Sequence, residues 1–216
     1  MLFGCEIKIG EVKIMLGLPK STELLKQLPK KAIYEKFNMN AEAKNKFDYD
    51  IKKIMIVNEV SPLTTNIVKG ENISSFYVLL VTLKKQSFDE KNIAMISKLI
   101  KQNMLFVLEY DGTACLAVYY AKLINTKWQP INDLNISIKG LNFDAVWENI
   151  IVQIGGINIE QGNSLDEQIQ IDYKRKKLNK QITSLEKLAR VEKQPRRKFE
   201  IFNQIKTLQS ELEGQV

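Results

Sequence analysis

The sequence predicts a protein of the α/β (α+β) class, with a mixed β-sheet body, helices packed on the sheet, and a C-terminal helical hairpin or coiled-coil arm. Residues 75–83 and 104–110 are nearly continuous apolar runs, which are typical of strands buried on both faces. Apolar residues between these runs recur at helical spacing, so the body alternates strands with helices. A seven-residue apolar repeat after Gly156 indicates a separate helical arm.

The elements of the body follow from apolar periodicity and from the positions of proline, glycine and capping residues. Asp111-Gly112 is typical of a two-residue hairpin turn, and Ser87 with Glu90 predicts a capping box at the start of a helix. The predicted elements are a strand at 5–15 joined through Gly10, a helix at 19–28 stopped by Pro29, helices at 30–37 and 41–47, strands at 51–60 and 75–83, a helix at 87–100, strands at 104–110 and 113–122, a loop at 128–130, a short strand at 134–138 and a helix at 144–154.

Glycines and polar residues at 155–156 and 161–164 mark a boundary between a domain at 1–160 and an arm at 161–216. Residues 1–14 form either a strand or an extension ahead of a second possible start at Met15. Pro195 interrupts the apolar pattern of the arm, and it fits the first turn of a second helix or a kink. The arm is therefore predicted as an antiparallel helix hairpin or a bent rod.

Composition limits the chemistry that this chain can perform. The formal net charge of +7 and the isoelectric point near 9.2 favour an acidic partner such as nucleic acid. The sequence has no histidine, which excludes Ser-His-Asp and Cys-His catalysis. Cys5 and Cys115 are too few and too far apart for a disulfide framework or a zinc site. We expect a cytoplasmic protein with no membrane span, catalytic residue, metal or cofactor.

The arm carries most of the net charge, with 12 Lys and Arg against 8 Asp and Glu after Ser164. Its two basic clusters could follow the phosphates of a nucleic acid, and each phosphate contact would add to the salt dependence of binding. The alternative is that they form only the solvated face of a helix. The candidate nucleic-acid-binding residues are Lys174, Arg175, Lys176, Lys177, Lys193, Arg196, Arg197 and Lys198.

One face of each arm segment is apolar, and so few heptads do not form a stable isolated coiled coil. The apolar residues must therefore pack on each other, on the body, or on a second chain. We assign them as candidate partner-binding residues, with homo-oligomerisation through the arm as one form of partnership. They are Leu178, Ile182, Leu185, Phe199, Phe202 and Ile205.

A metal-dependent nuclease is one alternative function. A strand pair, a strand that ends in acid-x-Lys, and a helix form the layout of restriction-type nucleases, and Lys84 occupies the lysine position. The acid is replaced by Thr82, although Mg²⁺ needs carboxylate oxygens. This alternative therefore requires acids such as Asp50 and Glu109 to lie near Lys84.

Several short segments, in a characteristic order, resemble an uncharacterised prokaryotic family known as domain of unknown function 4391 (DUF4391). The resemblance extends from Met15 to about Leu212, and it implies no catalytic residues. Pro195 departs from the family pattern, in which an aromatic or apolar residue is expected. The segments are Leu-Gly-Leu-Pro-Lys-Ser-Thr at 16–22, Leu-Pro-Lys at 28–30, Ser-Pro-Leu-Thr-Thr-Asn-Ile at 61–67, Leu-Phe-Val-Leu at 105–108, Leu-Asn-Phe-Asp at 141–144 and Glu-Lys-Gln at 192–194, followed by Lys198 and Glu200.

The resemblance implies that relatives are encoded beside helicases and DNA methyltransferases in restriction-like or antiviral gene clusters. Together with the basic arm, it predicts a non-catalytic accessory subunit of a DNA-targeting defence complex, in which the body binds a helicase or methyltransferase and the arm mediates assembly, DNA contact or both. The alternatives are a metal-dependent nuclease-like protein with an atypical or degenerate site and a structural protein that forms a homodimer through its arm.

Overall fold

The computed structural model describes residues 4–9 and 12–213, with side chains described from Leu16 onward. Two compact units divide the chain, residues 1–156 and residues 157–216. The first unit contains β1 (Gly4–Ile9), β2 (Val12–Pro19), β3 (Glu23–Gln27), α1 (Lys30–Lys36), α2 (Ala41–Asp50), β4 (Ile51–Val60), α3 (Pro62–Thr65), β5 (Phe76–Leu83), α4 (Glu90–Ser97), β6 (Asn103–Tyr110), β7 (Thr113–Tyr120), β8 (Lys122–Asn125), β9 (Gln129–Pro130) and α5 (Phe143–Gly155). The second unit contains α6 (Leu165–Val191) and α7 (Pro195–Glu213).

A mixed sheet organises the first unit, which confirms the predicted fold class. Its strands follow the order β3-β4-β5-β6-β7-β8, and β9 pairs with the other end of the β7 edge. All neighbours are antiparallel except β5 and β6, which are parallel and are connected through α4. A parallel pair needs such a crossover because the chain must return to the same end of the sheet.

Both faces of the sheet are buried, as the continuous apolar run in β5 predicts. Leu79 and Val81 lie in a core with the helical residues Phe47, Ile93 and Ile96. Phe76, from the opposite face of β5, contacts Phe143 and Trp147 of α5 at ring-centroid distances of 6.2 and 5.3 Å. Successive strand residues point to opposite faces, so a strand covered on both sides has no polar face.

The hairpin of β6 and β7 confirms the prediction from Asp111-Gly112. Asp111 and Gly112 have φ values of +49° and +75°, and Tyr110 pairs with Thr113 across the turn. Two consecutive residues with positive φ define the type I′ turn, whose twist matches that of the flanking strands. The predictions of β4, β5, α1, α2 and α5 are also confirmed.

The helix predicted over residues 19–28 is wrong. The chain forms a short 3₁₀ turn at Lys20–Thr22 and then strand β3, which pairs with β4. Leu24 and Leu25 are 40% and 45% exposed at a bulge in this pairing, and Leu25 has a φ of +48°. Their apolar spacing imitates a helix, but the backbone hydrogen bonds of this edge go to β4.

Three other local predictions are corrected. Asp89, and not Ser87, caps α4 by accepting from Lys91 N, and the helix ends at Ser97 instead of Ile100. Residues 134–138 form no strand, although Leu134 and Ile136 are buried as a strand would bury them. The 128–130 loop includes the short strand β9.

The N-terminal alternation belongs to two strands instead of one. β1 and β2 pair antiparallel, with Ile7 opposite Ile14 and Ile9 opposite Val12. Gly10, the predicted joint, lies outside the described residues. β2 continues to Pro19, so the second half of the alternating pattern and residues 16–19 of the first family-like segment lie on the same strand.

The arm is an antiparallel helix hairpin, which resolves the choice that Pro195 left open. α6 ends at Val191, and Pro195 is the first residue of α7. Proline is favoured there because the first helical N–H has no partner within the helix. The supercoiled packing suggested by the seven-residue repeat stays a prediction.

Candidate functional site

The interior of the helix pair fixes which side chains of the arm face outward. Ile182 and Ala189 of α6 pack with Ile201 and Ile205 of α7, and all four are less than 10% exposed. Leu185, Leu208 and Leu212 cover the edges of this small core. The remaining faces of both helices carry the charged residues.

The start of α6 is fixed by hydrogen bonds within the second unit. Ser164 and Glu167 form a capping box, in which each side chain bonds the backbone N–H of the other residue. Gln168, 1% exposed, accepts from Glu160 N and Asn163 Nδ2 and donates to Asp172. The helix bearing the first basic cluster therefore has a defined beginning, because the Glu167 N–H is capped by Ser164 and the buried Gln168 amide has hydrogen-bond partners.

The first basic cluster lies on the third and fourth turns of α6. Lys174, Lys176 and Lys177 are exposed. Arg175 is different, since its guanidinium forms an ion pair with Glu160 at 2.8 Å and only 22% of its side chain is exposed. The structure thus leaves three of the four predicted residues with ammonium groups in solvent, and gives Arg175 a bridge to the segment before the helix.

The second basic cluster occupies the turn between the helices and the first turn of α7. Lys193, Arg196 and Arg197 are exposed and Lys198 is half-buried. The Arg196 side chain is 94% exposed and lies 3.5 Å from the Glu200 carboxylate. The first turn of α7 contains no acidic residue, although the positive end of a helix dipole favours one. This arrangement concentrates positive charge at one end of the arm.

The predicted partner-binding residues divide into two groups. Leu178, Ile182 and Ile205 are 6–7% exposed, and Leu185 packs against the arm core, so these side chains stabilise the helix pair itself. Phe199 and Phe202 are instead 66% and 52% exposed. Partner binding stays a prediction. Phe199 and Phe202 are the members of this set whose side chains are exposed and therefore accessible to a partner.

A groove runs beside Phe202 between the two helices. Glu186, Ala189 and Arg190 of α6 line one side of it, and Lys198 and Phe202 of α7 line the other. Its volume is about 300 Å³. The groove therefore has an apolar wall next to two basic side chains.

A second candidate site lies where α2 meets β4 in the first unit, around Asp50, which the sequence suggests only as an acid of the nuclease alternative. Asp50 is 5% exposed, and its Oδ2 accepts from Asp89 N and from Asn92 Nδ2, both at 2.9 Å. Its Oδ1 lies 3.0 Å from Lys85 Nζ. The carboxylate thereby connects the end of α2 to the end of β5 and to the start of α4.

Lys85 lines an open cleft of about 430 Å³ together with Asp50 and Tyr49. Its ammonium is 4.0 Å from the centre of the Tyr49 ring as well as next to Asp50. Glu42 and Lys46, paired at 2.7 Å, form the exposed rim. The cleft carries both signs of charge, and each hydrogen-bonding oxygen of Asp50 already has a partner.

The nuclease alternative requires acids such as Asp50 and Glu109 to lie near Lys84 at the end of β5. Lys84 N donates to the backbone carbonyl of Asp50, so Asp50 does lie at the end of β5. Glu109 is opposite Thr82 on β6, and its carboxylate accepts from Gly112 N within its own hairpin. Among the side chains that the structure describes, from Leu16 to Glu213, no three Asp, Glu, Cys or His residues converge to hold a metal ion. The described side chains therefore do not form the set of carboxylates that Mg²⁺ prefers.

The Leu-Pro-Lys segment at 28–30 has a structural role. Lys30 Nζ donates to the Asp48 carboxylate and to the carbonyl of Ile51, and Tyr34 donates to Asp48 at 2.6 Å. Burial acts to raise the pKa of Asp48, but the bonds from Lys30 and Tyr34 outweigh it and the pKa is lowered. This cluster fixes α1 against α2 and the start of β4.

The sequence offered only a weak signal for Asp50. Aspartate at the last residue of a helix is unusual, because the negative end of the helix dipole disfavours it. Such a position predicts a specific partner but does not say which one. Lys85, Asp89 and Asn92 are between 35 and 42 residues away in the chain, and only the pairing of β4 with β5 brings them together.

The fold and these surfaces define an α+β protein whose C-terminal helix pair is basic. No helix within the described part of the chain is long and apolar enough to cross a membrane. The chain belongs to the family described as Domain of unknown function (DUF4391), whose family model matches residues 16–212. The resemblance drawn from the short segments is therefore confirmed over nearly the same range. Comparison with curated proteins and with solved structures found no match.

Proposed function

We propose that this protein is a non-catalytic accessory subunit of a cytoplasmic, prokaryotic DNA-targeting complex of the restriction-like or antiviral kind. The C-terminal helix pair, α6 and α7, contacts DNA. The first unit, which contains the mixed sheet and is called the sheet unit below, binds a helicase or a DNA methyltransferase. The single observation that supports the DNA contact best is the exposed basic cluster of Lys193, Arg196 and Arg197 at the beginning of α7.

This cluster has no evident structural purpose. Cations at the first turn of a helix reduce helix stability, by about 0.3–1 kcal/mol each when exposed. Arg196 has only a long contact with Glu200 to offset this cost, and a surface pair of that kind contributes little. Residues that violate a local stability rule without compensation are expected at functional positions. A polyanion would neutralise them.

Replacement of Arg196, Arg197 and Lys198 by Gln tests the DNA contact. We expect weaker binding to all DNA sequences alike. The affinity should also depend less steeply on salt concentration, because a protein with fewer phosphate contacts releases fewer counterions from the DNA when it binds. Fluorescence anisotropy with duplexes of unrelated sequence, measured over a range of salt concentrations, gives both quantities.

The matched control replaces Lys26, Lys69 and Lys127 by Gln. These lysines are also exposed but belong to the first unit, so the variant has the same net charge as the test variant. Equal loss of affinity in both variants would mean that net charge alone attracts DNA, and unchanged affinity in the test variant would reject the proposed contact.

The protein partner is identified by affinity capture of the tagged chain from its native host, with and without nuclease digestion. A helicase or methyltransferase held by protein contacts remains after digestion. Recovery of partners only without digestion would leave the chain as a DNA binder without a stable protein partner.

A further inference from the structure

Two phenylalanines form an exposed aromatic pair on α7. Phe199 and Phe202 are 66% and 52% exposed, whereas Ile201 and Ile205 of the same helix face the arm core. Residues three positions apart on a helix are neighbours, with Cβ atoms about 5–6 Å apart. The two side chains therefore project from neighbouring positions on the outward surface, where apolar area is unfavourable unless something covers it.

Basic side chains outnumber acidic ones around this pair, with Glu186 in the groove beside Phe202 and Glu200 next to Phe199 as the acidic neighbours. Arg196 is one turn before Phe199, and Arg190 and Lys198 line the groove beside Phe202. From Arg190 to Lys198 the chain has five basic residues and one acidic residue, Glu192. A ligand that fits this surface must combine flat apolar faces with closely spaced negative charge.

We propose that this surface binds single-stranded nucleic acid, with unstacked bases packed on Phe199 and Phe202 and phosphates bound by Arg190, Arg196 and Lys198. The inference rests on the proposed function and specifies its ligand. A duplex presents phosphates but keeps its base faces inside the helix, so it cannot use the rings. A single strand offers a π-face with every base, and aromatic side chains with basic neighbours are the usual platform for it.

The complementarity of charge favours a nucleic acid over an apolar protein surface. A protein that covered only the rings would leave Arg190, Arg196 and Lys198 at the edge of an apolar contact, where charged groups are costly to desolvate. Single-stranded DNA neutralises these groups and covers the rings with the same molecule. A single strand is also the product that a DNA-unwinding partner would generate.

The test compares the wild-type chain with the double variant Phe199→Leu, Phe202→Leu and with the double variant Phe199→Tyr, Phe202→Tyr. Leucine retains the apolar volume but removes the flat ring, whereas tyrosine retains the ring. The probes are an oligothymidylate of about twelve nucleotides, its abasic counterpart and a duplex of the same length. Leu63→Ala is the control, because Leu63 is 96% exposed in the first unit.

We expect the leucine variant to bind oligothymidylate about tenfold or more weakly, since stacking on one aromatic side chain typically changes affinity by about fivefold or more. Its affinity for the abasic strand and for the duplex should not change, and the tyrosine variant should bind like the wild type. Circular dichroism should give the same helix content for all variants, because both rings are exposed.

The inference is overturned if the leucine variant binds oligothymidylate normally, or if it loses affinity for the duplex and the abasic strand to the same extent. The Arg196, Arg197 and Lys198 variant separates this failure from failure of the proposed function. If the Arg196, Arg197 and Lys198 variant loses affinity for DNA and the leucine variant does not, the proposed DNA contact is supported and base stacking on the two rings is rejected. If a captured protein is lost from the leucine variant while oligothymidylate affinity remains, the rings are a protein-docking surface.

Discussion

At the residue scale, Asp144 shows how one carboxylate can fix a loop. It lies in the first turn of α5 and accepts from the backbone N–H groups of Glu71 and Ile73, both at 2.8 Å, and of Asn72 at 3.3 Å. Burial acts to raise its pKa, but these bonds favour the charged form and lower the pKa below its ordinary value. The loop before β5 is thereby held against α5.

Replacement of Asp144 by Asn should lower the melting temperature at neutral pH, because the amide has one acceptor and no charge for the three N–H groups. A lowered folded-state pKa stabilises the fold fully above the ordinary aspartate pKa, about 3.9, and this stabilisation is lost as the pH falls through the folded-state value. The difference in melting temperature between the wild type and the Asp144 variant should therefore become smaller as the pH is lowered. Thermal unfolding measured at a series of pH values tests this.

Glu148→Gln is the control for this variant, since Glu148 is an exposed acid on the same helix. It should leave the melting temperature nearly unchanged at all pH values. A constant difference between wild type and the Asp144 variant down to strongly acidic pH would show that the charge of Asp144 contributes nothing.

At the element scale, the junction of α2 and β4 is the point where several elements meet through Asp50. Its carboxylate is bound by Lys85 after β5 and by Asp89 N and Asn92 at the start of α4. Asn92 is itself 5% exposed, so its amide depends on this acceptor. The junction links β4, β5 and α4, whereas the sequence shows only a helix followed by a strand.

Asp50→Ala should lower the free energy of unfolding of the sheet unit by about 2–4 kcal/mol, because it leaves a buried amide, a backbone N–H and an ammonium without their acceptor. Tryptophan fluorescence during urea denaturation measures this, since Trp128 and Trp147 both lie in the sheet unit. Glu42→Gln, in the exposed pair at the cleft rim, should leave the free energy of unfolding nearly unchanged, because a solvent-exposed ion pair contributes little. Equal effects of the two substitutions would contradict a structural role for Asp50.

Strand β3 shows why element type cannot always be read locally. Its leucines satisfy a helical pattern, yet Leu28 N donates to the Ile54 carbonyl and Lys26 pairs with Ile56. Pairing with an available strand edge outweighs a weak helix preference, because the pairing satisfies backbone groups on both sides of the bulge at Leu24 and Leu25. The wrong helix prediction over residues 19–28 falls on an edge strand whose leucines are exposed. No buried face of this strand imposes the alternating apolar pattern by which a strand is recognised.

At the scale of the whole molecule, two units of different size should differ in stability. The sheet unit has a large core, whereas four buried residues form the core cluster of the helix pair. Short helix pairs depend on such packing because isolated helices are marginal in water. We expect the helix pair to unfold at lower denaturant concentration than the sheet unit.

Circular dichroism at the helix band and tryptophan fluorescence should therefore give different unfolding curves, which is the standard sign of a transition that is not two-state. Circular dichroism should show an early phase that fluorescence lacks, because both tryptophans belong to the sheet unit. Ile205→Ala should move this early phase to lower urea, by removing about 2–4 kcal/mol of packing, and leave the fluorescence curve unchanged. Coincident curves in the wild type would instead indicate one cooperative unit.

The sequence by itself determined the features that depend on neighbouring residues: the strands β4, β5, β6 and β7, the hairpin turn at Asp111-Gly112, the helix α5 and the basic character of the arm. Periodicity and turn chemistry act over a few residues, so they can be read from the chain directly. The short family-like segments also identified the family in this way.

Only the tertiary structure decided the features that depend on residues far apart in the chain. It made residues 23–27 a strand, brought Lys85 and Asn92 to Asp50, and divided the arm's apolar residues into buried Ile182 and Ile205 and exposed Phe199 and Phe202. Each of these outcomes depends on which strand edges pair and which helix faces meet. Those choices follow from the packing of the whole fold, and no local pattern encodes them.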